Sequence, residues 1–165
     1  SASHLSWTDD KFVEGEASII EISGVYKKYH CPMARTVLLG KPDQKKIDTM
    51  KRTREALQAG IDVTKPGNTA DDVAQAFWKV LDKYGIEKKS RTGYSIGIGY
   101  PPDWGEHTLN IQKGDKTVLQ KNVCFHMIAV MQFGEWGVES SESIRVSDNG
   151  AENFYKFPDE LHIKG

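Results

Sequence analysis

Three acidic residues lie in stretches of sequence that otherwise have the composition of β-strands. Glu21 stands between Ile20 and Ile22, so a strand there would bury part of its side chain. A buried carboxylate is costly unless it is paired, and a carboxyl group in such a place can act as a nucleophile or as a general base. Strand alternation is equally consistent with Glu21 facing solvent on an edge strand. Glu139 and Glu142 lie in a second strand-like stretch and allow the same two interpretations.

Two short runs contain further side chains that could take part in chemistry. His30 and Cys31 are adjacent in the run Tyr-His-Cys-Pro, which is also typical of a strand end with a buried thiol. Asp103 follows two prolines in the run 100–106, where an aspartate can simply cap a turn. Trp104 and Trp136 could line a pocket for a cationic ligand, although tryptophans more often pack in a core or on a surface.

The histidines and cysteines do not form a known metal or cofactor motif. The five histidines, at positions 4, 30, 107, 126 and 162, are well separated, and neither a Cys-x-x-Cys pair nor a His-Glu-x-x-His run is present. A phosphate-binding loop is also missing from the sequence. The glycine-rich run 93–99 lies on a strand-like stretch and opens no helix, so it is a weak dinucleotide signal. The residues therefore predict a site without a metal or a cofactor.

The elements that must position these side chains are indicated by apolar spacing and turn residues. Period-two spacing predicts strands, and apolar residues three and four apart predict helices. Asp43 and Thr69 are suited to cap two helices, and Gly85 is suited to end the second. The expected order is strands in 18–29 (with a break at Ser23-Gly24) and 36–39, helices in 43–61 and 69–84, a strand in 93–99, a rigid loop in 100–106, strands in 117–119, 123–133 and 138–146, a turn at 148–150 and a polar tail after 154. This order predicts one α+β domain over residues 1–165, with its helices on one face of a curved antiparallel sheet.

Length and charge exclude several classes of protein. The chain of 165 residues has 22 Lys and Arg against 23 Asp and Glu, so it lacks the basic field that a nucleic acid partner would need. No apolar run approaches the roughly 20 residues of a membrane span, and the first residues do not resemble a signal peptide. Two cysteines cannot form a disulfide framework in a chain of this length. We therefore expect a cytoplasmic protein that binds neither nucleic acid nor membrane.

Four segments, 21–36, 93–106, 125–128 and 139–146, occur in an order and spacing that resemble a known superfamily. The most specific of them are Tyr29-His30-Cys31-Pro32 and the run Tyr-Pro-Pro-Asp-Trp-Gly-Glu at 100–106. Together they resemble the C-terminal part of the pita-bread fold of methionine aminopeptidase, proline dipeptidase, creatinase and ectoine hydrolase. The ectoine hydrolase and creatinase branch is the most similar. The resemblance extends from about residue 16 to residue 152, and it implies a truncated pita-bread domain.

The resemblance also implies which residues stand where the metallopeptidase members bind two metal ions. Those members use two Asp, one His and two Glu. The corresponding positions here are Glu21, Pro32, Tyr94, a position at or beside Met127, and a position near Ser141 or Glu142. Proline, tyrosine and methionine are poor ligands for a divalent ion in such a site. The resemblance therefore implies the metal-free branch of the superfamily, without a cofactor.

For that branch the implied reaction is hydrolysis of a C–N bond in a small cyclic amidine, opening ectoine to N-acetyl-diaminobutyrate. Glu21 would attack the amidine carbon or activate water, and Tyr94 or His30 would donate a proton to the leaving nitrogen. Asp103, with Glu142 or Glu139, would hold the ring N–H groups. The implied catalytic residues are Glu21, His30, Tyr94 and Glu142, and the implied substrate-binding residues are Tyr100, Asp103, Trp104, Glu139 and Cys31.

Two other functions are compatible with the same sequence. One is a truncated, non-catalytic pita-bread domain that binds a small ligand or self-associates, because a cut sheet exposes an unpaired edge. The expected partners are then a second copy of the chain or the N-terminal half of the fold. The other is a metallopeptidase of the Xaa-Pro dipeptidase type, which Pro32 and Tyr94 disfavour.

Overall fold

A computed structural model describes residues 9–100, 103–158 and 160–165. Its elements are β1 (Ala17–Tyr26), β2 (Tyr29–Leu39), α1 (Gln44–Asp62), α2 (Ala70–Lys83), β3 (Gly93–Tyr100), β4 (Asp103–Ile111), β5 (Cys124–Phe133), β6 (Trp136–Ser147), β7 (Gly150–Asn153) and β8 (His162–Lys164). Within this described part, the strands join in the order β1-β2-β3-β5-β6-β7, while β4 pairs with β3 and β8 with β2. All these pairings are antiparallel except that of β2 with β8. The predicted α+β class is confirmed.

The sheet is curved because β2 leaves β3 and runs along β6. A single residue pair, Tyr29 with Ile98, joins β2 to β3. Farther along β2, side chains bridge to β6: the Thr36 hydroxyl donates to the Glu139 carbonyl oxygen at 2.8 Å and accepts from the Glu139 amide at 2.7 Å. The Ala34 amide donates to Ser141 Oγ at 2.7 Å. These bonds bring the β1–β2 hairpin to the middle of β6.

The two helices within the described ranges begin at the predicted caps and cover one face of the sheet. Asp43 accepts a hydrogen bond from the Lys46 amide, and Thr69 forms a capping box with Asp72. Phe77 of α2 and Met127 of β5 belong to the core that the helices share with the sheet. Among the described residues, no helix is both long and apolar enough to cross a membrane.

The register of β5 against β6 decides which side chains face the helices. Met127 lies opposite Glu142, and His126 lies opposite Ser143. Met127 belongs to the helix-covered core, so Glu142 is on the helix side as well, because paired residues share a face. Glu139 and Ser141 therefore project from the opposite, concave face, on which His126 also lies.

Four local predictions were wrong. The hairpin turn is at Lys27 and Lys28, both with positive φ, and β1 continues through Ser23-Gly24 because every residue of β1 pairs with β2. The predicted loop at 100–106 contains the start of β4, and prolines 101 and 102 lie outside the described residues. The predicted strand 117–119 is a single bridge from Val118 to Thr69. The tail contains β8, which pairs with β2.

Candidate functional site

A chain of hydrogen bonds crosses the concave face of the sheet. Trp104 Nε1 of β4 donates to Tyr94 Oη of β3 at 2.7 Å. Tyr94 Oη is 2.9 Å from His126 Nδ1 of β5, and His126 Nε2 is 2.6 Å from Ser141 Oγ of β6. Tyr94 lies opposite His126 in the β3–β5 ladder, so the sheet register holds the two rings together. The rings meet edge to face, with centroids 5.4 Å apart.

Two carboxylates accompany this chain. Glu21 lies opposite Ala34 in the β1–β2 hairpin, and the Ala34 amide is bonded to Ser141. Glu139 is two residues before Ser141 on the same face of β6, and only 6% of it is exposed. Burial, and secondarily the negative charge of Glu21, raise the pKa of Glu139 to about 7. The fold therefore brings together two acidic groups from strands that are far apart in sequence.

Lys88 is the cation whose charge acts on Glu139. It precedes β3, is buried, and donates to Ser90 Oγ at 2.5 Å. Burial lowers the pKa of Lys88 to about 8, and the Glu139 carboxylate partly opposes that effect. Glu139 and Lys88 therefore both titrate closer to neutral pH than exposed residues of their types.

The tyrosine and the histidine of the hydrogen-bond chain are both uncharged at neutral pH. Burial raises the pKa of Tyr94 to about 12, partly opposed by the hydrogen bond from Trp104. His126 is completely buried, and that burial lowers its pKa to about 3. A neutral tyrosine next to two carboxylates is suited to donate a proton to a substrate.

Glu142 is not part of this cluster. It lies on the helix side of β6, where its carboxylate forms a buried ion pair with Arg35 at 2.6 Å. Arg35 also donates to the carbonyl oxygens of Ser141 at 2.6 Å and Ala34 at 2.9 Å. Burial raises the pKa of Glu142 and the Arg35 charge partly opposes it. The structure therefore separates Glu142 from Glu21, and of the acids near residue 140 it brings Glu139 to the concave face.

Of the described residues in the run 100–106, Trp104 alone belongs to the cluster. The Asp103 carboxylate is exposed, bonded to the Gly105 amide at 2.8 Å and to His107 Nε2 at 2.6 Å. Those bonds lower the pKa of Asp103, with the backbone bond contributing most. The Tyr100 ring is also exposed, with the Lys28 ammonium 5.1 Å from its centroid.

His30 and Cys31 lie at a different place. They line a cleft of about 840 Å³ between the tip of the β1–β2 hairpin, β3 and the start of β5, which Cys124 also lines. His30 is four residues from Ala34, or about 13 Å along an extended strand. Neither ring nitrogen of His30 has a hydrogen-bond partner among the described residues. Burial raises the pKa of the Cys31 thiol, so it is a weaker nucleophile than an exposed cysteine.

Sequence reasoning missed His126, Lys88 and the hydrogen bonds of Ser141. A single histidine in an apolar strand is usually structural, and the sequence does not show that Tyr94 lies opposite His126. Alternation in the run Phe125-His126-Met127 was an available signal, because it places His126 on the face opposite the two apolar residues.

The donors present do not fit a centre of two metal ions. Of the positions where metallopeptidases carry ligands, Glu21 offers a carboxylate, while Pro32 and Tyr94 offer no anionic or imidazole donor at neutral pH. Of the two residues near the last position, Ser141 offers a hydroxyl that is bonded to His126, and the Glu142 carboxylate is paired with Arg35 on the helix side. Both ring nitrogens of His126 are already bonded, to Tyr94 and to Ser141. Within the described ranges, no three His, Cys, Asp or Glu side chains lie close enough together to hold a metal ion.

The raised pKa of Glu139 predicts a pH-dependent stability that one substitution removes. The pKa of Glu139 is higher in the folded protein than in the unfolded chain, so its protonated carboxyl contributes to the free energy of unfolding. That contribution is complete below about pH 4.5 and is lost as the pH rises through about 7. At pH 8 we expect Glu139→Gln to be more stable than the parent chain by up to about 3 kcal/mol, and at pH 4.5 to differ little. Urea unfolding at both pH values measures the difference.

The matched control for this prediction is Glu135→Gln, at an exposed position in the turn between β5 and β6. We expect its stability to follow the parent chain at both pH values. Parallel pH–stability curves for Glu139→Gln and the parent chain would show that Glu139 ionises as an ordinary exposed acid does.

Comparisons with known proteins identify the family of the chain. The model of metallopeptidase family M24 matches residues 1–149. Ectoine hydrolase from Halomonas elongata is 42% identical over 165 residues, which cover 99% of this chain and 41% of that protein. The uncharacterized hydrolase/peptidase y4tM of Sinorhizobium fredii is 37% identical over 98% of this chain and 41% of its own length. The chain therefore spans about two fifths of the length of these two curated relatives.

Solved structures confirm the fold. The dipeptidase PepE from Mycobacterium ulcerans superposes with a TM-score of 0.90 at 27% identity, over 98% of this chain and 43% of that one. The prolidase from Pyrococcus furiosus superposes with a TM-score of 0.84 at 21% identity, over 92% of this chain and 44% of that one. The predicted pita-bread fold, truncated relative to these proteins, is confirmed.

Proposed function

The chain belongs to metallopeptidase family M24, and on that basis we propose that it forms the catalytic face of a hydrolase that opens a small cyclic amidine. Ectoine is the proposed substrate, because the chain is 42% identical to an ectoine hydrolase over nearly its whole length. The product of adding water to ectoine is N-acetyl-diaminobutyrate. Because the chain covers only part of that relative, the activity is proposed for the protein that contains this face.

The observation that carries this proposal is the pairing of two acids beside a neutral tyrosine. Glu21 and Glu139 are close enough for the charge of Glu21 to raise the pKa of Glu139. A bound amidinium would place a delocalised positive charge and two N–H donors beside these carboxylates. Charge-assisted hydrogen bonds of this kind are stronger than neutral ones, so the substrate would relieve the repulsion between the two acids.

The proposed reaction needs one nucleophile, one proton donor and one water molecule. Glu21 attacks the amidine carbon or takes a proton from the water that attacks it. Glu139 holds a ring N–H group as the positive charge on the substrate collapses. Tyr94 gives its phenolic proton to the nitrogen that leaves. In total, the water oxygen joins the carbon, one C–N bond breaks, and both water protons end in the single ring-opened product, because the proton that Tyr94 gives to nitrogen is returned to Tyr94 from the water.

Metal independence is part of the proposal, because the donor set around Glu21 lacks the ligands of a two-metal centre. The Xaa-Pro dipeptidase alternative requires that centre. Elemental analysis of the purified protein distinguishes the two, since a metallopeptidase would hold Mn or Zn in stoichiometric amount and lose activity to a chelator.

A chimera tests the proposal directly. The 165-residue chain is joined to the part of the Halomonas elongata relative that it does not cover, and the bare chain is assayed beside it. We expect the chimera to convert ectoine to the N-acetylated product, observed by proton NMR, with no effect of a chelator. Cleavage of an Xaa-Pro dipeptide with added Mn, and no ectoine conversion, would overturn the proposal.

A second candidate is a binding domain that assembles with another chain. The β1–β2 hairpin is at the end of the strand order. It exposes four large apolar side chains by more than half, namely Ile22, Val25, Tyr26 and Tyr29, and it exposes Ile20 by 48%. Such an edge is suited to pair with a second copy or with the N-terminal half of the fold. A protein without turnover that elutes as a dimer and melts at a higher temperature with ectoine would favour this candidate.

A further inference from the structure

The hydrogen-bond chain on the concave face has a fixed donor at each of its two ends. The indole N–H of Trp104 and the backbone N–H of Ala34 can only donate. Tyr94 Oη therefore accepts from Trp104 at 2.7 Å, and Ser141 Oγ accepts from Ala34 at 2.7 Å. The directions of the two bonds between these ends depend on His126.

A neutral imidazole has one donor nitrogen and one acceptor nitrogen, so His126 donates to one neighbour and accepts from the other. His126 is completely buried, and its pKa of about 3 keeps it neutral. In one arrangement Nδ1–H donates to Tyr94 while the Ser141 hydroxyl donates to Nε2. In the other arrangement Tyr94 donates to Nδ1 while Nε2–H donates to Ser141.

The surroundings of Ser141 distinguish these two arrangements. Ser141 Oγ is fully buried, and among the described residues its hydrogen-bond neighbours are the Ala34 amide and His126 Nε2. Since the amide is a donor, His126 Nε2 is the acceptor that remains for the serine proton. The reverse arrangement leaves that proton buried without an acceptor, which is unfavourable. The first arrangement satisfies Ser141 and both ring nitrogens, with the proton of His126 on Nδ1. The proton without an acceptor among the described residues is then that of Tyr94, which is 8% exposed, and not that of Ser141, which is 0% exposed.

This tautomer has a consequence for Tyr94. Its oxygen accepts two N–H bonds, from Trp104 Nε1 and from His126 Nδ1, so its own proton is directed away from both. Besides burial, the negative charges of Glu21 and Glu139 both act on the phenol and raise its pKa. The same two N–H groups would stabilise the phenolate after the proton has left.

From this geometry we infer that His126 and Ser141 are positioning residues, which hold the phenolic proton of Tyr94 toward the substrate so that Tyr94 protonates the leaving nitrogen. The inference rests on the proposed hydrolysis for its substrate, but the tautomer does not depend on turnover. As the C–N bond breaks, the proton passes from Tyr94 Oη to nitrogen. Tyr94 then recovers a proton from Glu21, which holds one of the two protons of the water consumed.

Nitrogen-15 NMR of His126 tests the tautomer without any substrate. At pH 7 we expect a neutral ring protonated at Nδ1, assigned by comparison with His126→Gln. Ser141→Thr retains the hydroxyl and should keep that tautomer, whereas Ser141→Ala should shift the ring toward protonation at Nε2. A ring protonated at Nε2 in the parent protein, or a charged ring, would overturn the inference whether or not ectoine is converted.

Kinetics of the chimera test the consequence for catalysis. The amide of asparagine can replace Nδ1–H and that of glutamine cannot, so His126→Asn should retain activity that His126→Gln loses. We expect Ser141→Ala and His126→Gln to lower kcat at least 30-fold with KM changed less than threefold, and to shift the alkaline limb of the kcat pH profile. Equal loss in the Asn and Gln variants, with an unchanged pH profile, would mean a structural role only. A parent chimera without turnover would instead refute the proposed function, and the NMR result would stand by itself.

Discussion

Replacing Glu21 by glutamine is expected to lower the kcat for ectoine opening by about 10³-fold or more, because general bases and nucleophiles each contribute on that scale. Glutamine keeps the size of the side chain but can neither take a proton from water nor attack a carbon. The fold should remain intact, since every residue of β1 pairs with β2. Turnover by the chimera and thermal unfolding, measured on the same preparation, separate loss of chemistry from loss of structure.

Glu16→Gln is the matched control, because Glu16 is exposed just before β1 begins. We expect it to retain the parent kcat. The Glu21 variant has a second expected effect: without the charge of Glu21, the pKa of Glu139 should fall, since that charge contributes to raising it. Glu21→Gln that keeps a tenth or more of the parent turnover would show that another group performs the attack.

Replacing Arg35 by methionine is expected to cost about 3–5 kcal/mol of the free energy of unfolding. The Arg35 and Glu142 side chains are 4% and 7% exposed and are 2.6 Å apart, so the variant leaves the Glu142 carboxylate buried without its cation. Arg35 also donates to the Pro158 carbonyl oxygen at 3.1 Å, and to the carbonyl oxygens of Ala34 in β2 and Ser141 in β6. The β1–β2 hairpin would thus lose part of its attachment to the rest of the sheet. Urea unfolding at pH 7 measures the cost.

Two further variants identify the cause of this effect. Arg145→Met removes a 2.5 Å ion pair with Glu152 whose members are 41% and 52% exposed, and we expect it to cost much less than Arg35→Met, because solvent screens exposed charges. Adding Glu142→Leu to Arg35→Met should recover most of the lost stability, because neither charge of the pair then remains. A similar loss of stability in the Arg35 and Arg145 variants, or no recovery in the double variant, would contradict the prediction that the buried Arg35–Glu142 pair stabilises the fold.

The candidate site was predictable in part. The resemblance of the motifs assigned Glu21 and Tyr94 to the site, and the structure brings both to the concave face near Trp104. The resemblance could not choose between Glu139 and Glu142. They are three residues apart on one strand and so face opposite sides, and the motif does not say which side faces the site. The choice depends on the pairing of Glu142 with Met127, and on the helices that cover Met127.

The sequence by itself determined the two helices, the strands β1, β3, β5 and β6 and the class of the fold, because caps and apolar periodicity are local properties of the chain. It did not determine β8, whose three residues form a strand because β2 offers them a free edge. Nor did it place His126 between Tyr94 and Ser141, which are 47 residues apart in the chain and meet through two separate strand pairings. Only the tertiary structure decides such contacts, since a strand's period fixes which of its own residues share a face, while the packing of distant elements decides what that face meets.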